Sequence, residues 1–192
     1  MIIISEIAIS ILPVFVFLLA LIVLDSYKLI RLKLLLFIIA FGALAALASY
    51  YVNSYLYLQL EIDPFYFTRY ISPFVEELSK GMILIFLFKT NKIGFLVDAA
   101  IYGFAIGSGF AFIENIYYLQ SVESASIAVW IIRGFGTAVM HGGATAIFSV
   151  SAKMLLDNSV KKSIYLFLPG FFAAVSIHSF SIIFCYPRFL SL

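Results

Sequence analysis

Residues 34–59 read LLLFIIAFGALAALASYYVNSYLYLQ, a run without a charged side chain that is bounded by Lys33 before it and Glu61 after it. A helix needs about 20 predominantly apolar residues to cross the hydrocarbon core of a bilayer, and this stretch supplies them. Working outward, charged or turn-forming connections divide the rest of the chain into similar stretches near residues 3–24, 73–88, 94–119, 126–152 and 163–186. The expected fold is therefore all-α, a polytopic helical membrane protein with about six transmembrane helices. Composition points the same way. Of 192 residues, 64% are hydrophobic and 11% charged, against roughly 45–50% and 25% in soluble domains. A compact soluble protein of this size would leave much of that apolar surface in water, so lipid is its natural solvent.

The connections are short, and no repeat or low-complexity linker interrupts them, so residues 1–192 read as a single transmembrane domain. The apolar run at the front of the chain has no Lys or Arg before it and reads as a retained first span rather than a cleaved signal. Glu61 to Ser72, with Asp63-Pro64 and several aromatics, suits an interfacial turn or short helix. Lys28, Arg31, Lys33, Lys89, Lys92, Lys153, Lys161 and Lys162 fall on one side of the six-span arrangement, and Arg69 and Arg188 on the other. The positive-inside rule then puts the first group in the cytoplasm and both termini outside a cell membrane. A net charge of +2 and the lack of a basic run of five or more argue against a nucleic-acid partner. The lone Cys185 can make no internal disulfide and offers no metal ribbon.

Ionisable residues inside spans cost roughly 2.5–3.5 kcal/mol each on insertion scales, so they tend to line cavities and carry function. This chain places Glu76, Glu77 and Lys80 in the third span, Asp98 and Glu114 in the fourth, Arg133 and His141 in the fifth, and His178 in the sixth. Helical spacing lets both Glu76 and Glu77 reach Lys80. In the fourth span Gly103, Gly107, Phe110 and Glu114 share one stripe, where glycines admit a close neighbour, while Asp98 lies on nearly the opposite face and about 24 Å away. Asp98 is therefore expected to serve folding, with Lys89 or Lys92 as its partner. Counted at about 1.5 Å per residue from the outer ends, Glu76, Glu77, Glu114 and His178 fall within about 5–12 Å of the surface. His141 joins that layer if Arg133 snorkels to mark the outer boundary of its span. Buried acids and histidines can hold and activate water, stabilise an oxyanion or bind a metal. They can also form an ion or proton pathway, so a transporter or channel and a catalytically silent scaffold stand as alternatives.

These motifs resemble those of the PrsW family of intramembrane proteases, related to the CAAX prenyl endopeptidases. Glu76-Glu77-x-x-Lys80 resembles its E-E-x-x-K motif, and Asp98 through Tyr102-Gly103, Gly107, Gly109 and Glu114-Asn115 its glycine-rich span. Phe110 and Glu114 form its F-x-x-x-E element, and His141, after Arg133, and His178 take the later histidine positions. The resemblance covers a motif-bearing core of 73–182 and leaves residues 1–60 as two scaffold spans. At Phe148-Ser149-Val150 a glycine would be expected.

The resemblance implies an endopeptidase that cuts a single-span, membrane-anchored protein near the extracytoplasmic side, as the family's namesake does to an anti-sigma factor. Glu76 or Glu77 would be the general base, aided by Glu114. His141, His178 and Asn115 would orient the water or hold the oxyanion. Lys80 and Arg133 would support them. A metal-free glutamate mechanism needs no cofactor, while zinc held by His141, His178 and Glu77 is the alternative.

Overall fold

The computed structural model describes residues 31–121 and 127–185, with scattered helical positions between Leu12 and Val23. Its long helices are α1 (Leu32–Leu60), α2 (Ser72–Lys89), α3 (Leu96–Ser121), α4 (Ile127–Asp157) and α5 (Leu168–Cys185). A helical turn, Pro64–Tyr66, and a π-helical turn, Phe67–Ile71, lead into α2, and a 3₁₀ turn, Ile164–Phe167, leads into α5. Asp63 starts the first of these by accepting the Phe65 N–H at 2.8 Å, with Pro64 at the first helical position where its missing N–H costs nothing.

Four stretches are long and apolar enough to cross a bilayer: Leu32–Leu60, Leu96–Tyr118, Arg133–Asp157 and Ile164–Ile182. The chain is thus an all-α, multi-pass membrane protein. The count of six differs from this for two reasons. The expected first span, 3–24, lies almost wholly outside the described residues. The expected third span is helix α2, which carries Glu76, Glu77, Lys80 and Lys89 and does not qualify by apolarity.

Burial is inverted relative to a soluble protein. Phe37, Tyr51, Leu58, Phe86 and Phe180 are exposed, whereas Glu77, Lys80, Asn115 and His141 are completely buried. Such an exterior suits lipid, and such an interior demands that every charge find a partner.

Helix α3 is the axis of the bundle, packed on α1 and α4. Its contacts are set by small residues. A Cβ on Gly107 would meet Gly142 Cα at 2.7 Å and overlap the backbone of His141, while one on Gly103 would meet Thr145 O at 2.7 Å. On the other side Gly109 abuts the backbone of Ile39 and Gly42 that of Ile106, holding α1 equally close. Phe148 occupies the place where the family resemblance led us to expect a glycine. Its ring fills the space left by Gly81 of α2 and Gly170 of α5, where a Cβ would lie 2.9 Å from it in both cases.

The turn between α2 and α3 ends the first helix and caps the second. Asn91, with φ of 53°, donates to Phe88 O and Lys92 donates to Leu87 O, which together close the last turn of α2. Asp98 then accepts the Gly94 and Phe95 N–H groups at 3.0 and 2.9 Å. The expected partnership of Asp98 with Lys89 or Lys92 is therefore not formed, because the carboxylate satisfies the unpaired amides at the start of its own helix.

Gly107→Ala should destabilise the protein by about 1–3 kcal/mol, since overpacking here pushes on backbone. Gly143→Ala should be neutral or stabilising, because a Cβ there meets nothing within 4 Å and alanine favours a helix. Thermal unfolding in detergent distinguishes the two; equal effects would contradict this packing of α3 on α4.

Candidate active site

Four helices bring their ionisable residues to one place. On α2, Lys80 Nζ donates to Glu77 Oε1 at 2.6 Å and contacts His141 Nδ1 of α4 at 2.7 Å, with the face of Phe110 of α3 4.1 Å away. An ammonium can only donate, so Nδ1 of His141 accepts and its Nε2 carries the ring proton. That nitrogen faces Glu114 Oε2 of α3 in a short contact. The other oxygen of Glu114 lies 3.6 Å from Arg133, whose guanidinium stacks 3.4 Å above the Tyr118 ring.

His178 of α5 completes the cluster. Its ring stands edge-on to His141 with centroids 4.7 Å apart, and its Nδ1 donates to Glu77 Oε1 at 3.0 Å. That leaves the Nε2 lone pair facing Glu76 Oε2 at 3.7 Å, too long for a hydrogen bond. Glu76 is held from its other side: Asn53 donates to Ser72 Oγ at 2.7 Å, and Ser72 donates to Glu76 Oε1 at 2.8 Å.

The structure thus brings together Glu76, Glu77, Glu114, His141, His178, Lys80 and Arg133. Asn115 is fully buried next to Glu114 in the chain. One expected contact changes. Of the two carboxylates on α2 only Glu77 pairs with Lys80, because one residue of helix rotates Glu76 about 100° away, toward α1 and Ser72. Glu114 meets His141 and Arg133 directly. Sequence reasoning missed Asn53, Ser72 and Tyr118. Helix α1 supplies Asn53, and a single amide near the end of a tyrosine-rich span gives no signal of its own.

Exposure within the cluster is uneven. The Glu114 and Glu76 side chains keep 25% and 16% of their exposure, against 0% for Glu77, Lys80 and His141. Among the described residues, Glu77 Oε2 is buried without a hydrogen-bond partner. An unpaired buried carboxylate oxygen is costly to keep and available to accept a proton.

Glu76, His141 and His178 have ligand atoms within 4.8 Å of one another, a set that could hold a metal. The donor chemistry fits a divalent cation. Ligands of tetrahedral zinc stand roughly 3.3–3.6 Å apart, close to the 3.7 Å between Glu76 and His178. His178 also hydrogen-bonds a carboxylate through its other nitrogen, the usual support for a metal-binding imidazole. His141 has both nitrogens engaged and would join only by releasing one. The carboxylate in this set is Glu76, not the expected Glu77, whose Oε1 is occupied by Lys80 and His178.

Residues 31–181 match the family model described as PrsW family intramembrane metalloprotease. No curated protein and no solved structure matches the chain.

Lys80→Met should cost about 3–5 kcal/mol by leaving Glu77 charged in the interior without its cation. Adding Glu77→Gln to it should restore part of that loss. Unfolding of the two variants in detergent checks the pair; additive losses would show that the two side chains do not depend on each other.

Proposed function

Because the chain belongs to the PrsW family of intramembrane proteases, we propose that the buried cluster hydrolyses a peptide bond of a single-span, membrane-anchored protein, such as an anti-sigma factor. The observation that carries this reading is a connected set of three carboxylates, two imidazoles and a lysine inside an apolar helix bundle. Structural ion pairs alone are an expensive way to hold membrane helices together.

Glu77 is the general base. Its Oε1 is fixed by Lys80 and His178, and its Oε2 is left to take a proton from the attacking water. The water oxygen adds to the scissile carbonyl carbon, and the proton passes from Glu77 to the departing amine nitrogen as the C–N bond breaks. Lys80 keeps a positive charge within the cluster as negative charge develops on the carbonyl oxygen. Glu114, paired with Arg133, holds His141, and Ser72 with Asn53 holds Glu76. A divalent metal held by Glu76, His141 and His178 would polarise the scissile carbonyl and make the bound water more acidic.

The site sits away from the lysine-rich end. Lys80 is nine residues, about 13 Å, from Lys89 along α2, and His141 twelve residues, about 18 Å, from Lys153 along α4. With the lysines in the cytoplasm, cleavage falls near the extracytoplasmic face of the cell membrane and both termini lie outside. An apolar groove of about 860 Å³ runs between α4 and α5, lined by Phe135, Gly136, Gly143, Ile177 and Phe180. It is next to His141 and His178 in the chain and suits an apolar substrate segment. Among the described residues the buried ionisable groups gather in this one layer, apart from Asp98, which backbone amides satisfy; a polar line across the membrane, as an ion pathway requires, is not what they form.

Glu77→Gln and Glu114→Gln should each lower cleavage of a reconstituted substrate by at least about 100-fold while the protein still folds. Asp98→Asn should lower stability but keep cleavage per folded molecule. Activity surviving in Glu77→Gln would refute its role as base. Chelation followed by metal analysis of the pure protein should remove both bound metal and activity; activity that persists without metal leaves the carboxylate mechanism alone.

Gly143 lines the groove and a Cβ there meets nothing within 4 Å, so Gly143→Leu should raise KM several-fold with little change in unfolding temperature. Unchanged KM would place the substrate elsewhere.

A further inference from the structure

At the end of the bundle opposite the catalytic cluster lies a cavity of about 340 Å³. Three segments line it: the end of α2 with Lys89 and Asn91, the end of α4 with Lys153 and Asp157, and the loop before α5 with Lys162. Asp157 pairs with Lys153 at 2.6 Å. Lys89 and Lys162 have no carboxylate within ion-pair distance among the described residues, so the cavity carries two uncompensated positive charges. Phe88 and Phe167, in edge-to-face contact at 5.4 Å, also line it.

Position and chemistry together select the ligand. Lys89 is the last residue of α2, and Ile164 begins the last apolar stretch, so the cavity opens where the chain leaves the hydrocarbon. Cations and aromatic rings lining one cavity at that level match a phosphodiester joined to an acyl chain. We propose that this cavity is a binding site for the headgroup phosphate of an anionic phospholipid, received between Lys89 and Lys162. The turn closed by Asn91 and Lys92 fixes where Lys89 leaves its helix, so the site is formed before the lipid arrives. Topology alone would explain lysines on this side, but Lys92 and Lys161 serve topology equally and do not line the cavity.

The full chain in phosphatidylcholine nanodiscs, titrated with phosphatidylglycerol, tests this by native mass spectrometry and unfolding temperature. Phosphatidylglycerol should be retained and raise the unfolding temperature, while inorganic phosphate should not. Lys89→Gln with Lys162→Gln should weaken retention roughly 25-fold, about fivefold per lysine. Lys89→Arg with Lys162→Arg, and Lys92→Gln with Lys161→Gln, should retain the lipid. Equal losses in the cavity pair and the Lys92/Lys161 pair would overturn the proposal in favour of diffuse surface charge. An equal effect of inorganic phosphate would overturn it in favour of a free-anion site, and no retention by the wild type would overturn it outright. Unfolding temperature without phosphatidylglycerol, matched to wild type, shows that the variants fold.

Discussion

Lys80 carries a positive charge in the centre of a protein whose outside is lipid, and that charge must be met within hydrogen-bond reach. Glu77 and His141 meet it at 2.6 and 2.7 Å, from the same helix and from α4. Each of those partners then has a further demand. Glu77 accepts the Nδ1–H of His178, and His141 donates its Nε2–H to Glu114, which Arg133 also approaches. One buried ammonium thus ties α2, α3, α4 and α5 together, and removing any member leaves another exposed to a low dielectric.

Such a network needs the backbones to come close, and glycine supplies the closeness. Gly103 and Gly107 set α3 against α4 so that Glu114, further along the same stripe, meets His141. Gly42 and Gly109 do the same for α1, the helix that supplies Asn53 and, through Ser72, turns Glu76 toward His178. Packing residues with no chemistry of their own therefore fix the positions of the chemical ones. The network also leaves two features unspent: an unpaired oxygen on Glu77 and a gap between Glu76 and His178. The proposed hydrolysis makes use of both.

Much of the site is legible in the sequence because charge is so rare in these spans. Glu76, Glu77, Glu114, His141 and His178 stand out from apolar surroundings, and counting helix rise puts all but His141 in one layer, which His141 joins if Arg133 marks the outer end of its span. The Gly103-Gly107-Glu114 stripe can be read from periodicity alone. What periodicity leaves open is rotation within a turn: Glu76 and Glu77 both have the spacing to reach Lys80, and only packing against α1 decides that Glu76 turns away. Asn53 and Ser72 are illegible because uncharged polar residues near a span end are ordinary. Charge alone assigns Asp98 a lysine partner, while the nearest unmet need is that of its own helix's amides. Length alone counts α2 as a span like the others, although its four charges make it dependent on its neighbours for burial.

The position of the cut tests this arrangement most directly. The pure protein would be reconstituted with a tagged single-span substrate of known orientation, and the new ends identified by mass spectrometry. Cleavage within or at the extracytoplasmic edge of the apolar segment, level with Glu77 and His178, is the predicted result. Cleavage toward the lysine-rich side, or none by the pure protein with any such substrate, would contradict it.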